Sequence, residues 1–353
     1  MGDLASLTAH VRAGRDLSGA EADSAAAALA SEGTSDGDKA DFLSALAGKG
    51  ETVSEIVSFA RAFRALAADP GLSDWSDRAV DVVGTGGDHS GGFNISSVVT
   101  LVVACAGVPV MKHGNRAVTS RSGSADMFAG FGVDLEAPPA RLRAALGSLG
   151  YVFLFAPAWH PAFKRVGPAR RLLAARGERS VFNILGPLVN PGRPAHVLLG
   201  AASPELAERL ARALDALGTR AGLAVHGVIS PGRGIDELTT ATLNVVRGAG
   251  RLRSLGEEWT PESLGLQRSP FSDMAGGDIA QNLAAVAELA GGGGPRGLAD
   301  TIALNSAAAL WLAGARPDVR GSIGEAREIL LGGAVRRKIA DTRDFYAGAG
   351  RDA

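Results

Sequence analysis

The chain has 353 residues, enough for one large domain or for two domains of unequal size. Its acidic and basic residues nearly cancel to a net charge of −1, so we expect no nucleic-acid partner and no membrane partner. Cys105 is the only cysteine, which excludes an intrachain disulfide and a cysteine zinc cluster. Because the sequence has neither a signal-peptide pattern nor an apolar run of bilayer length, we expect a cytoplasmic protein.

The first seventy or so residues have apolar side chains at three- and four-residue spacing, which predicts helices only. A capping-box pattern at Thr52–Glu55 predicts the start of a helix whose apolar face runs from Ile56 to Leu66. The pattern changes near Asp74. We therefore expect a helical domain over residues 1–73.

After Asp74, short apolar strands alternate with helical stretches, which favours a central, mainly parallel sheet covered by helices. Residues 157–194 are rich in Pro, Arg and Asn and contain a helical stretch around 162–175, and part of this segment is expected to join the N-terminal helices. The rest of 74–353 is expected to form a larger α/β domain. The predicted strands are 79–83, 108–111, 151–155, 196–200 and 221–226, and the predicted late helices are 278–290 and 296–313.

The glycine-rich segment at residues 84–97 follows the first predicted strand, where ligands of α/β folds gather. Glycine accepts positive φ and lets the backbone approach a ligand closely. Unpaired N–H groups in such a turn, and at the start of the next helix, can bind phosphate or pyrophosphate. An ordinary tight strand-to-helix connection is the alternative, which the motif alone does not exclude.

The segment Lys112–Arg116 follows the second predicted strand, and it offers a polyanion a positive charge, an amide and a flexible glycine. Its alternative is a solvated basic turn. Further hydroxyl donors follow at Thr119, Ser120, Ser122 and Ser124.

Two other charged pairs are candidates for a site. Asp236 and Glu237 come soon after the last predicted strand, and adjacent carboxylates suit Mg²⁺, although such pairs are also common in turns. Arg170 and Arg171 lie in an arginine-rich helical stretch. A guanidinium can grip a small carboxylate with two hydrogen bonds, but a solvated helix face is the usual explanation for such arginines.

Five motifs, in order along the chain, resemble the anthranilate phosphoribosyltransferase family. The resemblance extends from Lys49–Thr52 to Leu304–Ala309, which is nearly the whole chain. The five motifs are Gly84–Asp88 with Phe93–Ser96, Lys112–Arg116, Ser122–Asp126, Phe155–Pro157 with His160–Ala162, and Phe182–Pro191.

This resemblance implies a small helical domain joined to a larger α/β domain, a homodimer, and a Mg²⁺-dependent step of tryptophan biosynthesis. In that step 5-phosphoribosyl 1-pyrophosphate (PRPP) reacts with anthranilate, giving N-(5-phosphoribosyl)anthranilate and pyrophosphate. The resemblance places Mg²⁺ at Ser96, Asp236 and Glu237. It implies PRPP contacts at Gly84, Gly87, Asp88, Asn94, Ser96, Ser97, Lys112 and Ser124.

The family's anthranilate contacts correspond to Gly84, Asn115 and Arg170, with His113 close to the same pocket. No catalytic acid or base is expected, because the leaving pyrophosphate needs charge stabilisation more than the aromatic amine needs a base. Positioning is assigned to Lys112, His113 and Arg170. The predicted substrate-binding set is completed by Gly92, Gly114, Arg116 and Ser120.

The chain departs from the family at Gly92, where a threonine is usual, and the adjacent Arg170 and Arg171 leave open which of them grips the carboxylate. A pyrimidine nucleoside phosphorylase is one alternative, because it also has a Lys-His-x-Asn-Arg segment. Gly114 and the Gly84–Asp88 motif favour the transferase. A nucleic-acid-binding relative without enzymatic activity is the other alternative, and the balanced charge argues against it.

Overall fold

The N-terminal part of the computed structural model consists of four helices: α1 (Leu4–Arg12), α2 (Gly19–Ala30), α3 (Asp36–Lys49) and α4 (Val53–Ala65). The structure describes residues 3–86, 91–116, 122–230 and 233–348. The predicted capping box at Thr52 is present, and Ile56 and Phe63 are fully buried. Leu66 is 42% exposed, so the prediction was wrong there: α4 ends at Ala65, and Leu66 leaves the apolar face.

One sheet of eight strands forms the centre of the rest of the chain, in the order β3-β2-β1-β4-β5-β7-β8, with β6 paired to β5. Strands β1 to β5 are parallel and β6, β7 and β8 are antiparallel, which confirms the predicted mainly parallel sheet. The bounds are β1 (Val80–Gly84), β2 (Val110–Gly114), β3 (Tyr151–Phe155), β4 (His196–Gly200), β5 (Ala221–Ser230), β6 (Arg233–Ile235), β7 (Asn244–Gly250) and β8 (Gly256–Trp259).

Strand β2 lies further along the chain than residues 108–111, the range predicted for it. Its parallel pairing with β3 runs from Val110 opposite Tyr151 to Gly114 opposite Phe155. Lys112 and His113 therefore lie inside the sheet instead of in a loop after it. Two polar residues ended the apolar pattern in the sequence, but pairing with β3 carries the strand through them.

Helices cover both faces of the sheet, and each face has its own apolar core. One core contains α6, α7, α8 and the four C-terminal helices, while the other contains α12, α10 and the N-terminal helices. The remaining helices are α5 (Ser73–Ser76), α6 (Ile95–Cys105), α7 (Ser124–Phe131), α8 (Pro139–Leu149), α9 (Ala156–Trp159), α10 (Pro161–Ala175), α11 (Phe182–Leu185), α12 (Pro204–Ala216), α13 (Ile279–Leu289), α14 (Arg296–Leu312), α15 (Val319–Leu331) and α16 (Ala334–Ala347).

Helix α10 packs against the N-terminal helices, although it follows β3 in the chain. Lys39 Nζ on α3 donates a hydrogen bond to the Arg165 carbonyl at 3.2 Å, and Arg165 Nη1 donates to the Ala30 carbonyl at 3.1 Å. Val166 and Ala169 are buried in the same apolar core as α2 to α4. The limits 1–73 and 74–353 for the two domains stay a prediction.

The sheet order creates a crevice at the ends of β1 and β4. The chain adds β2 and β3 on one side of β1 and then crosses to place β4 on the other side. Open α/β sheets bind ligands at the carboxyl ends of strands where the order reverses in this way. Among the described helices, none has the length and apolar character needed to cross a membrane.

Candidate active site

Asp236 lies against the carboxyl ends of β1 and β4, at the point where the strand order reverses. Its Oδ2 accepts a hydrogen bond from the Gly86 backbone N–H at 2.9 Å. A Cβ atom at Gly84 would overlap this carboxylate, and one at Gly200 would overlap the Asp236 backbone carbonyl. Backbone overlap therefore requires glycine at position 200, whereas a side chain at position 84 would displace the Asp236 carboxylate. The fold thus brings one predicted metal ligand onto the glycine turn.

The glycine segment leads into the N-terminus of α6, which starts at Ile95 and has no side-chain cap. The Ile95 and Ser97 N–H groups already donate to the Phe93 and Asn94 carbonyls at 2.8 and 3.2 Å, so an anion at this terminus would be bound by the other first-turn N–H groups. Ser96, in this turn, is partly buried, whereas Ser97 is fully buried and its Oγ has no hydrogen-bond partner among the described residues. Gly87, Asp88 and Ser120, all predicted substrate contacts, lie outside the described residues.

Residues 91–93, on the far side of the glycine segment, are held by a loop from much later in the chain. Gly92 forms an antiparallel bridge with Ala275, and the Phe93 N–H donates to the Met274 carbonyl at 2.9 Å. A Cβ at Gly276 would overlap the Gly92 carbonyl. The departure from the family's threonine therefore occurs where two backbone segments meet closely.

Asn94, a predicted PRPP contact, connects three segments through its side chain. Its Oδ1 accepts hydrogen bonds from Ser122 Oγ at 2.8 Å and from Asn282 Nδ2 at 3.0 Å. Asn282 Nδ2 also donates to Ser122 Oγ at 2.7 Å, and the Gly277 N–H donates to Asn282 Oδ1 at 2.8 Å. These bonds fix the segment near Asn94 relative to the start of α7.

The segment after β2 turns tightly against α7. A Cβ at Gly114 would overlap Ser124 Oγ, which itself donates to the Asn115 carbonyl at 3.3 Å. Asn115 is exposed, and Arg116 pairs with Asp126 at 2.8 Å with more than half of its side chain exposed. Of the predicted residues in this segment, Asn115 and Ser124 thus lie beside each other.

A buried carboxylate, Asp81, lies beneath these loops at the second position of β1. It accepts hydrogen bonds from Asn190 Nδ2 at 2.8 Å and from the His113 N–H at 3.3 Å. Burial raises the pKa of Asp81 to about 6, and the charge of Lys112 acts in the opposite direction. The same Asn190 amide donates to the Met111 carbonyl at 2.7 Å, so it joins the two strands.

Lys112 is only 2% exposed, whereas a lysine in a loop after β2 would be accessible to solvent. Its Nζ donates to the Val82 carbonyl at 2.6 Å. Burial lowers the pKa of Lys112, while the negative charges of Asp81, Glu237 and Asp236 oppose that shift. The ammonium group therefore lies among the buried carboxylate and the two predicted metal ligands.

His113 and His160 form a pair of buried rings whose centroids are 5.0 Å apart. Burial lowers the pKa of His113 to about 3 and that of His160 to about 4, so both are neutral at pH 7. His113 Nδ1 lies 3.2 Å from the Gly186 carbonyl, which makes it the N–H donor. The Nε2 atoms of both rings have no partner among the described residues.

Arg170 is partly buried, whereas the adjacent Arg171 is exposed. The Arg170 guanidinium lies 5.7 Å from the Phe182 ring centroid, and burial lowers its pKa. Phe182 contacts Phe163, which stacks on His160 with centroids 4.9 Å apart. Aromatic rings thus connect the arginine with the histidine pair.

The donor set around Asp236 fits Mg²⁺, which prefers oxygen ligands, uses few carboxylates and completes its shell with waters and substrate phosphates. Within the described ranges, no group of three or more His, Cys, Asp and Glu side chains is placed to hold a metal ion alone. Asp236 and Glu237 are both partly buried and within the electrostatic reach of Lys112. A metal held here would need the oxygens of a substrate as well.

Two domain models of the glycosyl transferase family match this chain. The α/β domain model matches residues 76–336, and the helical bundle domain model matches residues 5–67, which confirms the predicted fold class. The anthranilate phosphoribosyltransferase of Thermus thermophilus is 44% identical over 294 residues, covering 83% of this chain and 85% of that protein. The enzyme of Synechococcus sp. (strain JA-3-3Ab) is 40% identical over 308 residues, covering 87% of each.

The chain belongs to the anthranilate phosphoribosyltransferase family. The crystal structure of the Thermus thermophilus enzyme matches it with a TM-score of 0.86 at 38% identity, covering 97% of this chain and 99% of that chain. The Saccharomyces cerevisiae enzyme in complex with PRPP and Mg matches with a TM-score of 0.85, covering 98% of each chain. At 24% identity the yeast structure supports the fold alone.

Sequence reasoning missed several polar residues that hold the predicted site in place. Asp81 interrupts an otherwise apolar strand, which was an available signal, and His160 and Asn190 lie inside the motifs that carried the resemblance. Asn282 gave no signal, because it is an ordinary polar residue of a late helix. The roles of the predicted contacts themselves stay predictions.

We expect neither His113 nor His160 to take up a proton in the folded protein between about pH 5 and pH 8, because burial disfavours the charged ring. NMR titration of ¹⁵N-labelled imidazoles, assigned with His113→Gln and His160→Gln, measures this directly. The unfolded chain binds these protons below about pH 6.5 and the folded chain does not, so both residues lower stability as the pH falls below that value. A midpoint near 6.5 for either ring would contradict the expectation.

Proposed function

We propose that the chain transfers the 5-phosphoribosyl group of PRPP to the amine of anthranilate, giving N-(5-phosphoribosyl)anthranilate and pyrophosphate, in tryptophan biosynthesis. The observation that carries the proposal is the contact of Asp236 with Gly84 and Gly86 at the ends of the parallel strands. It joins the predicted metal ligand to the predicted pyrophosphate turn. The two had been connected only through the resemblance, because 150 positions separate Gly86 from Asp236.

At the pyrophosphate end, the first-turn N–H groups of α6 other than those of Ile95 and Ser97 would bind the phosphates, because the Thr85 and Gly86 N–H groups after β1 already donate to the Gly200 carbonyl and to Asp236. Ser96, Asp236 and Glu237 would hold Mg²⁺, which supplies positive charge to the departing pyrophosphate. Lys112 would add positive charge on the sheet side of the phosphates, because its ammonium group is held by a hydrogen bond to the Val82 carbonyl. The fixed donors need no rearrangement as the leaving group gains charge, and each is typically worth about 3 kcal/mol in the transition state.

At the anthranilate end, Arg170 would bind the carboxylate of the acceptor. Its guanidinium is partly buried and contacts the Phe182 ring, so the charge pair would form away from bulk water. His113 and His160 are neutral at pH 7 and offer an aromatic wall to a planar ring. Holding the amine in line with the anomeric carbon is the main task of these residues.

We also propose a homodimer, as the resemblance implies, with the N-terminal helices as the interface. Two large apolar side chains are exposed in the region of these helices: Leu66 follows α4, and Leu172 lies on α10, which packs beside α2 and α3.

The loss of anthranilate fluorescence in the presence of PRPP and Mg²⁺ tests the proposed activity. We expect the purified protein to consume anthranilate and to release one pyrophosphate per turnover. Thymidine or uridine with phosphate is the matched control, and consumption of a nucleoside but not of anthranilate would identify a phosphorylase instead. DNA binding that weakens steeply with salt, without turnover, would support the nucleic-acid-binding relative.

We expect the double variant Asp236→Asn/Glu237→Gln to lose about 100-fold or more in Mg²⁺-dependent kcat, because it removes the charges that would hold the metal. The amide of the Asp236→Asn side chain can still accept the Gly86 hydrogen bond, so the fold should persist. Glu258→Gln, on the exposed part of β8, is the control and should behave like the wild type. Full activity of the double variant would remove both residues from the metal site.

Arg170→Gln is expected to raise the KM for anthranilate about 10- to 100-fold with little change in the KM for PRPP, because it removes a charge-assisted pair of hydrogen bonds. Arg171→Gln, at the adjacent exposed position, should leave both constants near those of the wild type. Steady-state kinetics with each substrate varied in turn measures the effect. The reverse pattern would assign the carboxylate to Arg171.

A further inference from the structure

A cavity of about 240 Å³ lies where the end of α4 meets the segments that precede β1 and β4. Its wall comes from Arg64 and Ala65, from several residues between 67 and 76, and from Pro191–Arg193. Of the predicted PRPP, anthranilate and Mg²⁺ contacts that the structure describes, none is part of this wall. The volume is below that of most pockets for drug-sized ligands, so the cavity suits an ion or a very small molecule.

Arg64 is a partly buried cation with no counter-ion among the described residues. Its Nε donates to the Leu188 carbonyl at 2.5 Å, and its terminal nitrogens have no hydrogen bond or ion pair with any residue that the structure describes. Burial and the charges of Arg193 and Arg61 together lower its pKa to about 10. Desolvating a cation without a compensating anion is unfavourable, so the site favours an added negative charge.

Arg193 also lines this cavity, its charge acts on Arg64, and its backbone conformation is uncommon. Its φ of 49° makes it the only non-glycine residue with positive φ in the described ranges. The side chain is exposed and pairs with no carboxylate there. A strained residue held in place by its surroundings often marks a functional position.

The wall also carries the carboxylate of Asp69 and the hydroxyl groups of Ser73 and Ser76. Asp69 accepts a hydrogen bond from the Gly71 N–H at 2.8 Å and forms no ion pair with Arg64 or Arg193. Two guanidiniums and hydroxyl groups on a small cavity match the donor chemistry that binds a tetrahedral oxyanion.

We propose that this cavity binds a small tetrahedral oxyanion, either inorganic phosphate or the phosphoryl group of a small ester, between Arg64 and Arg193. The anion would join α4 to the turn before β4, because each of these elements supplies one guanidinium. It would compensate the charge of Arg64 and relieve its repulsion with Arg193. The proposal does not depend on the proposed function, since it uses none of the predicted substrate contacts.

The turn that carries Arg193 also supports the candidate active site. The Arg193 N–H donates to the Asn190 carbonyl at 3.2 Å, and Asn190 Nδ2 bonds to Asp81 and to the Met111 carbonyl. An anion at Arg193 would therefore act on the turn before β4, whose Asn190 side chain bonds to both β1 and β2. If the bound anion changes the affinity of the protein for a substrate, the bound substrate must change the affinity for the anion by the same factor.

Arg193→Asn tests the proposal, because asparagine tolerates the left-handed backbone and lacks the guanidinium. Isothermal titration with inorganic phosphate, and separately with glycerol 3-phosphate, distinguishes a free ion from a phosphate ester. We expect saturable binding to the wild type and a Kd raised about tenfold or more in Arg193→Asn, the loss expected for charge-assisted hydrogen bonds. Arg78→Gln removes an exposed arginine that does not line the cavity, and it should bind like the wild type.

Equal affinity of the wild type and Arg193→Asn would place the anion in the glycine turn after β1 and overturn the proposal. Chloride at equal ionic strength should bind much more weakly than phosphate. If chloride competes for the site as strongly as phosphate does, the proposal is overturned too. A crystal soaked in selenate provides the position: the anomalous selenium peak should lie within hydrogen-bond distance of both guanidiniums. A peak there without saturable binding in solution would mean an adventitious ion only and would equally overturn the proposal.

Discussion

The candidate site depends on a gap between two neighbouring strands of the sheet, β1 and β2. Within the described residues, β1 and β2 pair only at Val80 and Val110, whereas β1 and β4 pair along five residues. Backbone groups in the gap need other partners. Asp81, Lys112 and Asn190 supply them with polar side-chain atoms. The strands are thus joined by side chains at the end where the substrate loops begin.

This arrangement explains why two charged side chains, Asp81 and Lys112, are buried in the sheet. A buried carboxylate or ammonium group alone is strongly disfavoured, but Asp81 and Lys112 compensate each other and are hydrogen-bonded. The ammonium group of Lys112 also interacts electrostatically with Asp236 and Glu237. The positive charge held between β1 and β2 therefore acts on the predicted metal ligands. Strand pairing and the electrostatics of the site therefore rest on the same residues.

Much of the fold could be predicted from the sequence, because alternation of apolar strands and helices is a local pattern. The helices α13 and α14, the capping box at Thr52 and the parallel strands after Asp74 follow from it. The position of β2 could not be predicted in this way, because pairing with β3 determines it and the polar Lys112 interrupts the apolar pattern of the strand. The antiparallel strands β7 and β8 also went unpredicted, and the contact of Asn282 with Asn94 spans 188 positions.

The apolar core that α12 shares with the N-terminal helices constrains how the protein unfolds. Leu210 and Leu214 of α12 belong to one buried cluster with Phe59 of α4 and with Leu199 of the sheet. Taking the N-terminal helices away would leave one face of the sheet and the inner side of α12 in water. We therefore expect the two parts of the chain to unfold as one cooperative unit, and we expect any relative motion between them to keep this shared core closed.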